Sequence, residues 1–234
     1  MKKIIFFGLL ITILFSNCKK YTAITVFAYD TSLGVVADDK VKFYFIGNNG
    51  WAESKDWEFA LPNGYKSVFP HRDTSLGVVV DNKIKFYFIG NNGWAESKDW
   101  EFALPNGYKS VFPHRDTSLG VVADDKVKFY FIGNNGWAES KDWEFALPNG
   151  YKSVFSHRDT SLGVVADDKV KFYFIGNNGW AESKDWEFAL PNGYKSVFPH
   201  RDTSLGVVVD DKVKFYFIGN NGWAESKDWE FVLD

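Results

Sequence analysis

Histidine, arginine and aspartate stand side by side as His71-Arg72-Asp73, and the triplet returns as His114-Arg115-Asp116, His157-Arg158-Asp159 and His200-Arg201-Asp202. A second polar group recurs with it. Asn48, Asn49, Trp51 and Glu53 reappear as Asn91, Asn92, Trp94 and Glu96, then as Asn134, Asn135, Trp137 and Glu139. They come again as Asn177, Asn178, Trp180 and Glu182, and finally as Asn220, Asn221, Trp223 and Glu225. The letters HRD invite comparison with a kinase catalytic loop, but no asparagine follows at the required spacing and four copies of such a loop have no use. The histidines lie 43 residues apart, so they meet a common metal only around a shared axis. No aspartate ladder, phosphate-cradling glycine loop or Cys-His cluster accompanies them, and no metal or other cofactor is expected. Acid–base catalysis needs two carboxylates in different environments, whereas near-identical copies place theirs in equivalent ones. The pattern speaks against an enzyme.

Binding suits these residue types better. A flat indole stacks on the apolar face of a pyranose while amide, carboxylate and guanidinium groups bond its hydroxyls. Each group also has a purely structural reading. Trp51 and its copies fit as plugs between units, and the Asn-Asn-Gly stretch as a turn. Arg72 with Asp73 fits as an ion pair pinning neighbours, or Asp73 as the cap of its own turn.

The spacing is constant because a whole unit repeats. DTSLGVVADDKVKFYFIGNNGWAESKDWEFALPNGYKSVFPHR starts at Asp30, Asp73, Asp116, Asp159 and Asp202. The fifth copy stops at Asp234 before its NGYKSVFPHR portion, and a relative of that portion, TAITVFAYD, precedes the first copy. Period-2 patterning and turn residues divide the first unit into four strands: Ser32 to Ala37, Lys40 to Ile46, Asp56 to Leu61 and Tyr65 to Phe69. Asp38-Asp39, Gly47 to Gly50 and Pro62-Asn63-Gly64 turn the chain between them.

Four antiparallel strands per unit of this length make the blade of a β-propeller. The expected fold is therefore all-β: a five-bladed β-propeller with repeats 30–72, 73–115, 116–158, 159–201 and 202–234. The N-terminal strand, 22–29, is expected to complete the last blade and so close the ring, removing an unpaired edge. The small first strand, with Gly34 in it, is expected to be innermost. An open solenoid is the alternative, but it needs caps that the sequence lacks. In a propeller of this kind the links PHRDTS and GNNGWAESKD share one rim, which gathers the polar candidates on a single face of a rigid scaffold.

The chain has 234 residues and a formal net charge of −3 at pH 7, with no basic stripe, so a nucleic-acid partner is not expected. Lys2 and Lys3 precede an apolar run from Ile4 to Phe15 that is too short to span a membrane. LFSNC follows, ending in Cys18, the chain's single cysteine. This segment resembles a bacterial lipoprotein signal. The resemblance implies a signal peptide over 1–17, lipidation at Cys18 and a tether over 18–21. It also implies an extracytoplasmic position at the cell envelope, touching the membrane only through the anchor. One cysteine allows no intramolecular disulfide.

Within the unit, I-G-x-x-G-W at Ile46 to Trp51, P-N-G-Y at Pro62 to Tyr65 and L-G-V-x-x-D-x-K at Leu33 to Lys40 resemble the repeat of the tachylectin family of five-bladed lectins. That resemblance implies the fold and a ligand class, N-acetylated amino sugars at one site per blade, and no particular binding residue. The expectation is a monomeric, multivalent binder of glycans or of another repeated surface ligand, gaining avidity from weak equivalent sites. The runner-up is a scaffold for a protein partner on the same face.

Overall fold

The computed structural model describes residues 25–29, 31–72 and 74–233, with the side chain of Tyr29 excepted. The signal segment, Cys18, the tether, the start of strand 22–29, Asp30 and Asp73 lie outside the described residues. Among the described residues, twenty strands and no helix form five four-stranded antiparallel sheets arranged as blades in a ring. The all-β, five-bladed, four-strand architecture is as expected.

The first blade shows the local logic. Its strands are β1 (Val26–Tyr29), β2 (Ser32–Ala37), β3 (Lys40–Gly47) and β4 (Gly50–Ala60), hydrogen-bonded in that order. Asp38 and Asp39, at φ 50° and 58°, make the two-residue turn between β2 and β3. Both central residues of such a hairpin turn need positive φ, which Asp tolerates better than most residues. Asn48 and Asn49 turn β3 into β4, with Gly50 at φ 92° taking the left-handed position that follows. In β3, Val41 and Phe43 are fully buried while Lys40 is exposed, the alternation of a strand with one apolar face.

Blade boundaries differ from the repeat boundaries. The segment expected to form the outer strand of its own unit pairs instead with the first strand of the next. In the second blade Ser67–Arg72 pairs with Ser75–Val80, with Phe69 opposite Gly77. A two-residue link makes that pairing local and cheap in loop entropy. The longer link at 61–66 carries the chain from the outer strand of one blade to the inner strand of the next. The same rule places β1 on the first blade, where Phe27 faces Gly34. It does not complete the last blade, whose four strands are Tyr194–Arg201, Ser204–Val209, Lys212–Gly219 and Gly222–Val232.

The innermost strand is therefore of the VFPHR type rather than the SLGVVA type, since these five strands approach one another around the axis. Closure comes from packing between whole blades rather than from a shared strand. Val26, Leu33 and Val35 of the first blade bury against Phe198, Phe215, Phe231 and Leu233 of the last. Every other blade interface has an equivalent apolar layer, such as Phe43, Phe59 and Leu61 against Val68, Leu76 and Val78.

Gly34 and its copies have a sharper role than general crowding. A Cβ at Gly120 would sit 2.3 Å from two ring atoms of Phe112 on the paired inner strand. The missing side chain is a notch for that ring. Gly120→Ala is expected to destabilise the domain by about 1–3 kcal/mol through overpacking. Adding Phe112→Leu should recover part of the loss, so that the double variant costs less than the sum of its parts in urea titrations. Strict additivity would contradict the notch.

The outer strand holds a large bulge. Val41 pairs with Phe59, but Phe43 pairs with Ser54, so Lys42 stands opposite four residues. The excess chain swings Trp57 back over the sheet, 5.7 Å from Phe43 and 5.4 Å from Phe45 between ring centroids.

Candidate functional site

Two connectors of each blade reach the same rim: the inner-to-second link, such as Arg72 to Ser75, and the third-to-outer turn, such as Gly90 to Gly93. The opposite rim carries the Asp-Asp turns and the 61–66 links. The expected gathering of the polar candidates on one face therefore follows from the strand order, although the numbering of strands within a blade shifted.

The candidates divide sharply once their contacts are drawn. Asn48, Asn49 and their four pairs of copies are exposed at the turn tips. The tryptophans are not free. Trp94 lies flat against Phe43 of the preceding blade, centroids 5.8 Å apart and planes 20° apart, and its indole N–H donates to Trp57 O at 3.2 Å. Trp137, Trp180 and Trp223 repeat both contacts. Trp51 stacks on Phe215 across the closing seam, yet its Nε1 is buried without a partner. Of the two readings of Trp51 and its copies, the plug between blades matches these contacts.

His71, His114, His157 and His200 are buried, each with Nδ1 facing the serine hydroxyl four residues on. His114 packs edge-on against Phe129 at 4.7 Å and Trp143 at 5.3 Å, and its Nε2 reaches Asp159 O at 3.0 Å. Burial, then the neighbouring arginine, pushes His71, His114 and His157 down to about 4. A neutral, enclosed imidazole wedged between rings is a packing element here.

The arginines pin blades together through backbone carbonyls of the next blade. Arg72 Nε donates to Asp116 O at 3.0 Å, Arg115 to Asp159 O at 3.0 Å and Arg158 to Asp202 O at 2.8 Å. Each guanidinium also covers a tryptophan of its own blade: Arg72 on Trp100 at 4.5 Å, Arg115 on Trp143, Arg158 on Trp186 and Arg201 on Trp229. The carboxylates of Asp116, Asp159 and Asp202 stay exposed.

Glu53 and its copies are exposed as well, and four of them accept a hydrogen bond that composition alone does not announce. The Tyr87, Tyr130, Tyr173 and Tyr216 hydroxyls donate to Glu96, Glu139, Glu182 and Glu225 at 3.1–3.2 Å. Burial first, and the carboxylate second, push these phenols up to about 12. The signal was in the sequence: Tyr44 and Glu53 stand equally far from the Asn-Asn turn, so a two-residue hairpin must set them opposite each other.

At the centre of this rim the inner links surround a cavity of about 480 Å³, with Arg115, Arg158, Asp116, Asp159, Asp202 and Thr160 in its wall. The chain is a β-propeller by architecture. No protein-family model matches it, and no curated protein matches it either. Among solved structures, Hsv2 of Kluyveromyces marxianus superposes with a TM-score of 0.51 at 12% identity, over 89% of this chain and 97% of that one. Hsv2 of Kluyveromyces lactis gives 0.41 at 13% identity, over 91% and 74%. At such identity the likeness is one of fold alone.

Proposed function

We propose that this chain is a multivalent, non-catalytic carbohydrate-binding protein. In this reading it is held at the outside of a bacterial envelope by a lipid on Cys18 and engages glycans through the rim of Asn-Asn turns. One observation carries the reading: exposed amides and carboxylates, such as Asn91, Asn92 and Glu96, recur once per blade on a single face of a rigid ring. Such groups accept and donate to vicinal hydroxyls, and repetition turns weak single contacts into avidity for a repeated ligand. With the rim tryptophans packed between blades, the contacts to sugar fall to Asn, Glu and the Tyr–Glu pairs.

A broad glycan array followed by calorimetry on any hit tests this. About five sugars per chain, with millimolar single-site affinity and far tighter binding to a multivalent glycan surface, is the expected result. A folded monomer that binds no glycan sinks the lectin reading and leaves the protein-binding scaffold on the same rim, to be sought by pull-down from the envelope.

A further inference from the structure

The rim sites repeat, but the axis exists only once, and some of the few differences between blades fall there. Ser156 stands where the corresponding links carry Pro70, Pro113 and Pro199, and it lines the axial cavity. The first blade's link is one residue shorter, Ala28-Tyr29-Asp30 against Pro70-His71-Arg72-Asp73, and has neither histidine nor arginine. Arg115 has φ 82°, alone among the described residues in taking positive φ without being Asp, Asn or Gly. Backbone in that region is strained for a residue with a side chain, and such outliers cluster at ligand sites.

The chemistry of the wall is mixed and incompletely used. Arg115 spends Nε and one Nη on Asp159 O, and Arg158 spends Nε on Asp202 O. Those are backbone carbonyls, so each fork keeps N–H groups with no anionic partner among the described contacts. The Asp116, Asp159 and Asp202 carboxylates and the Ser156 and Thr160 hydroxyls stand in the same wall. A volume of about 480 Å³ takes one or two sugar units.

We propose that this axial mouth is a single site for an acidic saccharide, distinct from the repeated rim sites. The ligand's carboxylate takes the free guanidinium edges of Arg115 and Arg158, the geometry in which arginine outperforms a point charge. Its hydroxyls donate to the Asp159 and Asp202 carboxylates and bond Ser156 and Thr160. The inference rests on the reading that this rim binds saccharides, and the experiment separates the two.

The full chain in detergent is titrated calorimetrically with digalacturonate and with its neutral counterpart, digalactose. One digalacturonate per chain is expected, weakened by added salt. Arg158→Lys, which keeps the charge and loses the fork, should weaken it about tenfold. Ser156→Pro installs the residue the other three links carry, so it should fold with unchanged Tm and still weaken the site several-fold. Five digalacturonates per chain, equal affinity for digalactose, or indifference to both variants overturns the axial site while leaving the rim reading intact. No binding of any saccharide overturns both.

Discussion

Acid is expected to unfold this ring: Tm should hold steady above pH 7 and fall steeply as the pH drops from 6.5 towards 4. The cause is the set of enclosed imidazoles. His71, His114 and His157 are held down to about 4 in the fold, chiefly by burial and next by the adjacent arginine, against about 6.5 in an unfolded chain. Above 6.5 neither state binds the proton and the full stability is present. Between 6.5 and 4 the unfolded chain binds protons that the folded one refuses, so stability falls as pH falls. Below about 4 both states are protonated and this loss stops growing. A displacement of this size corresponds to about 3 kcal/mol per histidine. Three of them together rival the whole stability of an ordinary domain, about 5–15 kcal/mol. The carboxylates of Glu58, Glu101, Glu144 and Glu187 are held below their usual range by hydrogen bonds from lysines, and they weaken the fold only at lower pH. The window from 6.5 to 4.5 therefore reports the histidines. Thermal melts every half pH unit, repeated on His114→Leu with its shallower slope, check this. A flat Tm from pH 7 to 5 would refute it.

Removing one inter-blade indole is expected to cost at least as much as that acid shift does per histidine. Trp137 stacks on Phe86 at 5.9 Å, meets Phe102 at 5.3 Å and Trp100 at 6.1 Å, and donates to Trp100 O. Trp137→Ala deletes all four contacts and leaves a cavity at a blade interface, an expected loss of about 3–5 kcal/mol. The seam gives the internal control. Trp137→Phe should lose about 1 kcal/mol with its hydrogen bond, whereas Trp51→Phe discards a buried donor that already lacks a partner and should be near neutral or stabilising. Urea midpoints for the two phenylalanine variants decide it: equal losses would mean that the seam is no different from the other interfaces.

Much of this was legible in the chain, for identifiable reasons. Two-residue turns at Asp38-Asp39 and Asn48-Asn49 fix their hairpins, and β2 and β3 lie where alternation and small residues put them. The radial order was not legible. Gly34 fits a crowded axial strand as well as it fits a notch for Phe27, and only pairing across the link tells the two apart. Period-2 reasoning also broke at the outer strand, because the residues looped out opposite Lys42 interrupt the alternation that would have joined Trp51 to Phe59 in one strand. For the candidate site, residue type marked the correct rim. It could not foretell that His71 and Trp94 are enclosed, since an imidazole or indole serves a ligand and a neighbouring blade by the same faces.

Because no blade borrows a strand from another, blade number is free of any pairing constraint. A replication slip that deletes or adds one 43-residue unit leaves every remaining blade whole. The new first and last blades then meet through the same Val, Phe and Trp side chains that meet at the present seam. Only the wedge angle of a blade resists the change. The gene can thus drift in length without passing through products that expose a naked strand edge, which is a route for a tandem array to explore ring sizes one codon-exact step at a time.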